Sequence, residues 1–290
     1  MIFYDSMLSD VTTPERVDHV SSQGYAWGYI GSCVPFVVCL LLVLNAGKIG
    51  LSMEMSMMIS FAIIAFWWFG LTLPLLKTYQ QKYYVERKPH AMQNSFKRLF
   101  ETIKNVRKEK KIFLFLLAFF FYIDGVYTII DMATAYGTAL GLDSTGLLLA
   151  LLVTQLVAFP FAIIFGRLSK CYDVRTLITI CIAAYFGIAV FAIFLKAQWQ
   201  FWIMAILVGM FQGGIQALSR SYFTKIIPAE KSGEYFGLMD ICGKGASFLG
   251  TTVISLIAQF TGKVNIGVGA ISLFFVLGMI VFKMATAEAE

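Results

Sequence analysis

The sequence predicts an all-α membrane protein of eight transmembrane helices, on three observations. Of its 290 residues 59% are hydrophobic and only 14% charged, against about 25% charged in soluble domains. The apolar residues gather into eight runs, each near the roughly 20 residues needed to cross about 30 Å of hydrocarbon. The polar segments between runs concentrate their Lys and Arg on one side, as cytoplasmic loops do.

Taken in order, the first two runs, Gly24 to Ala46 and Met53 to Leu75, form a pair joined by a short turn. Six more follow after a polar stretch: Ile112 to Tyr136, Gly146 to Phe165, Thr176 to Lys196, Trp199 to Leu218, Phe236 to Phe260 and Val264 to Met284. With the amino terminus inside, nineteen Lys and Arg fall in inner segments. The outer segments hold three (Lys48, Lys196, Lys263), and Lys244 is then the one cation within a run. Both termini are therefore expected in the cytoplasm. The chain divides accordingly into a cytoplasmic segment with a short helix (1–23), a two-span unit (24–76), a basic linker (77–111), a six-helix bundle (112–284) and a cytoplasmic tail (285–290).

Thr12, Pro14 and Glu15 have the spacing of a helix start with a capping box, which predicts a short helix from Pro14 to Ser21. The linker carries eleven basic residues against Glu86, Glu101 and Glu109. Within it Phe96, Leu99, Ile103 and Val106 recur at helical spacing among Lys97, Arg98, Lys104 and Arg107, describing an amphipathic helix on an anionic leaflet. A solvated basic loop that only fixes topology fits the same residues.

The formal charge of +6 thus follows membrane topology, and no nucleic-acid partner is expected. Five cysteines without C-x-x-C spacing and two histidines offer no metal set. Neither a Walker loop, a G-x-S-x-G elbow nor an H-E-x-x-H is present. The sequence predicts no enzyme, no cofactor and no metal.

An ionisable group in a span costs about 2.5 to 3.5 kcal/mol on insertion scales and tends to face a protein interior or a wet cavity. Asp124 lies twelve residues into the third run, near the midplane. It is expected to bind solute or a proton, with structural hydrogen bonding as the alternative. Asp131, seven residues on, shares its face near the outer boundary. Asp240 and Lys244 stand at i and i+4, the spacing of a helical ion pair. Gln155 in the fourth run and Gln212 and Gln216 in the sixth are uncharged polar groups, and the last two share a face, suited to a pore lining or to interhelical bonds. Gly24 and Gly28, Gly209 and Gly213, and Ala246 and Gly250 make small-xxx-small pairs that let helix backbones approach closely.

Three segments carry a resemblance: FYDSMLSDVTTPERVDHVSSQGYAWGYIGS (Phe3 to Ser32), FFFYIDGVYTIIDMATAYG (Phe119 to Gly137) and GGIQALSRSYFTKIIPAEKSGEYFGLMDICGKGASFLG (Gly213 to Gly250). Together they resemble the vacuole effluxer family of the major facilitator superfamily, named for an autophagy-related vacuolar amino-acid exporter. GRLSKCYDVR (Gly166 to Arg175) resembles the superfamily's inner-loop signature. Lys170 stands where that signature has aspartate, and Asp173 where it has glycine. Arg167 and Arg175 keep their places.

The resemblance implies a partial major facilitator fold, the last two spans of the amino-terminal half followed by a complete six-helix carboxy-terminal half. It also implies a truncated or split form, with a four-span portion as a missing partner. The function expected is secondary transport of a small polar solute, amino acids by family, across a bacterial plasma membrane or a fungal vacuolar one. In that scheme Asp124, Gln212, Gln216 and Lys244 bind solute or proton, and Asp131, Asp240, Arg167, Arg175 and Arg220 gate or brace. The alternative is a non-transporting scaffold or receptor derived from such a transporter.

Overall fold

The computed structural model describes residues 2–83 and 101–287. Among them there is no strand. Eight helices are long and apolar enough to cross a membrane. Two short helices, α1 (Ile2–Ser6) and α2 (Leu8–Val11), precede the first long one, α3 (Val17–Leu44). Then come α4 (Met53–Thr78), α5 (residues 101–108), α6 (Lys110–Ala139), α7 (Ser144–Leu168), α8 (Val174–Ile193), α9 (Gln198–Ile226) and α10 (Ser232–Thr261). The last crossing is made by α11 (Val264–Ala270) and α12 (Ser272–Ala287) together.

Short polar residues start these helices. Ser52 Oγ accepts from the Met55 N–H at 3.1 Å ahead of α4, and Asp143 Oδ2 accepts from the Gly146 N–H at 2.6 Å ahead of α7. Each satisfies one of the N–H groups that a helix start leaves open. Asp173 caps α8 in the same way, accepting from the Arg175 N–H at 2.9 Å. The acid that departs from the inner-loop signature therefore has a job of its own. Gly262, with φ of +67°, ends α10 in the left-handed conformation that glycine adopts freely, turning the chain into α11.

Four features differ from the sequence reading. Residues Pro14 to Arg16 form a turn, and the helix expected from Pro14 starts at Val17 as the first turns of α3. Thr12 closes α2 while Arg16 stands at the N-cap of α3, so Thr12 does not cap it, and the Glu15 carboxylate accepts instead from Thr13, which holds it below the usual range. The spanning helix α9 runs on to Ile226, so Arg220 and Lys225 sit on it rather than in a loop, and Lys244 is not the only cation on a spanning helix. The final crossing is divided at Ile271. In the linker Phe96 and Leu99 lie outside the described residues. Val106 is buried, and both it and Ile103 pack against the bundle core rather than facing outward.

The core of the bundle is aromatic. Phe115, Tyr122, Tyr185, Phe223, Phe275 and Phe282 are all fully enclosed, and Phe115 stacks on Phe223 with ring centroids 5.4 Å apart. Around it α6 packs on α10 and α12, α7 on α9, and α8 on α9 and α12. On the other flank α3 lies along α7 and α9, and α4 packs mainly on α3. The outward face of α4 is almost wholly apolar, with Phe61, Phe66 and Trp68 exposed. Such a surface suits lipid tails.

Candidate functional site

Between α3, α6, α9 and α10 lies a cavity of about 420 Å³, with α1 across part of it. From α6 it receives Phe119, Ile123, Tyr127 and Asp131, and from α9 Gln216 and Arg220. The helix α10 adds Asp240, Gly243, Lys244 and Ser247, while Tyr25 of α3 and Asp5 of α1 complete the polar wall. Acids, bases and aromatic faces thus share one cavity.

Arg220 is its most elaborated group. Only 4% exposed, it donates from Nε to Ser21 Oγ at 2.9 Å, from Nη2 to the Ser21 carbonyl at 3.0 Å and from Nη1 to Asp5 Oδ1 at 3.0 Å. Its Cζ stands 4.6 Å from the centre of the Tyr25 ring and 5.2 Å from that of Tyr4. A buried guanidinium needs such partners, because an unpaired charge there is prohibitively costly. Burial pushes the Asp5 carboxyl above its ordinary value, even though the Arg220 charge beside it pulls the other way.

Lys244 Nζ and Asp240 Oδ2 meet at 2.6 Å, the i, i+4 pair that the spacing predicts. Gln216 Oε1 accepts from the Tyr29 hydroxyl at 2.9 Å, joining α9 to α3 at the cavity edge. Gln212 lies one turn away in a separate, smaller space of about 40 Å³ beside Gln155. Its amide oxygen has no partner among the described residues. Asp131 lines the main cavity.

Asp124 does not. It is completely enclosed, and its Oδ1 accepts from the Gly250 N–H at 3.0 Å and from the Thr128 hydroxyl at 3.1 Å. Oδ2 has no partner among the described residues. Gly250 lets this happen, since a Cβ there would run into both Asp124 Oδ1 and Thr128 Oγ1. Arg167 is exposed at the end of α7. Arg175 pairs with Asp173 at 2.7 Å and donates to the Thr286 carbonyl at 3.5 Å, so both arginines stand well apart from the cavity.

The profile of the vacuole effluxer Atg22-like family matches residues 7–289. The chain belongs to that family. Over 291 residues it is 44% identical to YxiO of Bacillus subtilis, described as an uncharacterized MFS-type transporter, covering the whole of this chain and 68% of that protein. It is 24% identical to autophagy-related protein 22-1 of Aspergillus fumigatus over 273 residues, 85% of this chain and 44% of that one. The chain thus spans about two thirds of the bacterial relative and less than half of the fungal one. A bacterial homologue of the iron transporter ferroportin, solved facing outward, superposes with a TM-score of 0.59 at 15% identity. The match takes in 96% of this chain and 66% of that one. It shows the fold alone.

Within this Atg22-like chain the residues that sequence reasoning passed over lie ahead of α3 and in its first turns. Asp5, Tyr4 and Ser21 surround Arg220, and Asp18 Oδ2 accepts from Lys225 Nζ at 2.6 Å. Asp10 is buried and accepts from the Tyr79 hydroxyl and from the N–H groups of Lys82 and Tyr83, at 3.1 and 2.9 Å. Burial together with the Asp10 carboxylate pushes the Tyr79 hydroxyl up to about 12, so it stays a donor at neutral pH. One available signal was the run FYDSMLSD, which sets two acids among apolar residues where a plain solvated loop would have neither pattern.

Proposed function

We propose that this multi-pass membrane protein acts as a secondary transporter of a small polar solute, with amino acids as the class, and that the cavity between α3, α6, α9 and α10 is the solute path. The observation that carries this is the mixture of charges on its wall. Asp131 and Asp240 can meet an ammonium, while Arg220 and Lys244 can meet a carboxylate. Aromatic faces at Tyr25, Phe119 and Tyr127 can hold an apolar side chain between them. A zwitterion satisfies both signs at once. Neither a hydrocarbon nor a polyanion does.

Movement of solute requires the wall to open alternately on either side, by rocking one group of helices against another. The basic residues support a cytoplasmic location for the end where α3 begins, in a bacterial plasma membrane or a fungal vacuolar one. Asp124 takes the coupling proton on Oδ2, one residue from the cavity-lining Ile123. Because Oδ1 holds the Gly250 N–H, protonation there alters how α6 grips α10. Asp240 and Lys244 open and close as a strut at the cavity margin, with Gln212 and Gln216 presenting amides along α9.

The test is flux of labelled amino acids into proteoliposomes under an imposed pH gradient. Asp124→Asn is expected to insert normally and to lose gradient-driven accumulation by at least about tenfold, the effect of about 1.4 kcal/mol. Accumulation by this variant at the wild-type level would remove Asp124 from the coupling step.

A further inference from the structure

We propose that Arg220 is the anion anchor of the cavity and that Asp5 is its internal occupant, so that a solute carrying one carboxylate binds by displacing Asp5. This rests on the cavity being the solute path. The guanidinium is oriented from one side by α3, through two bonds to Ser21 at 2.9 and 3.0 Å, and is flanked by the Tyr25 ring. Those contacts belong to a 28-residue helix whose first half packs against α7 and α9. Asp5 comes from the other side, on a helix of only five residues. Besides its own carboxylate, α1 is attached to α10 through Ser232 Oγ, which donates to the Ser6 carbonyl at 3.0 Å.

Tyr4 of α1 also faces the guanidinium, its ring centre 5.2 Å from Cζ, but the two hydrogen-bonding partners are unequal: Ser21 fixes it and Asp5 is removable. Burial disfavours the ionised Asp5 carboxyl despite the adjacent cation, so part of what the internal pair gains is lost to desolvation. Departure of Asp5 without replacement would strand a buried cation, which is unfavourable. Another carboxylate must enter as Asp5 leaves. The planar fork of an arginine suits a carboxylate's two oxygens. Lys244 is already paired with Asp240, and Asp131 on the same wall opposes a second negative charge, so the class is a monoanionic carboxylate and not a phosphate or a dicarboxylate.

The experiment is isothermal titration of the purified full chain in detergent with acetate as probe and acetamide as its uncharged isostere. An internal ligand that fills the site about nine-tenths of the time weakens apparent affinity about tenfold. Asp5→Asn is accordingly expected to bind acetate about tenfold more tightly than wild type, with acetamide unchanged. Adding Arg220→Lys to Asp5→Asn should abolish the gain. Equal acetate affinity in wild type and Asp5→Asn overturns the proposal, as does an equal gain for acetamide. Because Asp5→Asn reports by a gain, misfolding of the lysine variant leaves the decision intact. Flux is measured separately: expected binding without flux overturns the transport reading and spares the anchor, whereas flux with unaltered Asp5→Asn binding does the reverse.

Discussion

Asp10 shows how one side chain can hold together segments remote in sequence. Its two oxygens receive a phenol and two backbone N–H groups from residues 69 to 73 positions away, just beyond the end of α4. Hydrogen bonds to a charged acceptor contribute about 1.5 to 3 kcal/mol each, and the donors left behind would be part-buried without partners. Asp10→Ala is therefore expected to destabilise the protein by about 3 kcal/mol, read as a lowered midpoint of thermal unfolding in detergent. It should also expose Tyr79, seen as increased iodination of that ring. Asp10→Asn, which keeps an acceptor oxygen, should recover part of the loss. An unchanged midpoint in Asp10→Ala would mean that the three contacts hold nothing together.

Among the helices, α7 and α9 approach each other closely. A Cβ on Gly209 would stand 2.6 Å from the Thr154 carbonyl oxygen, and one on Gly213 would stand 2.7 Å from Ala162 Cβ. Close approach of this kind supplies packing where lipid gives no hydrophobic drive. Gly209→Ala forces the two helices apart and is expected to cost about 1 to 3 kcal/mol, the usual scale of overpacking. Gly28→Ala, with no atom within 4 Å of its added methyl, should leave the unfolding midpoint near wild type. Both glycines sit in the same small-xxx-small pattern, so the pattern marks where approach is possible and not where it occurs. The helices themselves were readable because eight apolar runs have one solution in lipid. Their ends were less so. Arg220 and Lys225 looked like loop cations because charge normally closes a span, yet here Asp5 and Asp18 partner them on α9.

On the scale of the whole molecule, the cavity is assembled from residues that no local pattern relates. Asp5 and Arg220 are 215 positions apart. Periodicity assigned Asp124 and Asp131 to one face, and only the packing of α10 separates them, enclosing the first and leaving the second on the cavity wall. Orientation, by contrast, is a whole-chain property that charge counting can address, since loops rich in Lys and Arg are retained inside. Cys171 offers a direct reading of it. It is exposed in the turn between α7 and α8, beside Lys170, whereas Cys33 and Cys181 are buried. In a variant keeping only Cys171, a membrane-impermeant maleimide should label inside-out vesicles and leave intact cells unlabelled. Labelling of intact cells would place the Arg167 to Arg175 turn outside. The mouth spanned by α1, which lies at that same end, would then face away from the cytoplasm, and the count of basic residues would have misplaced both termini.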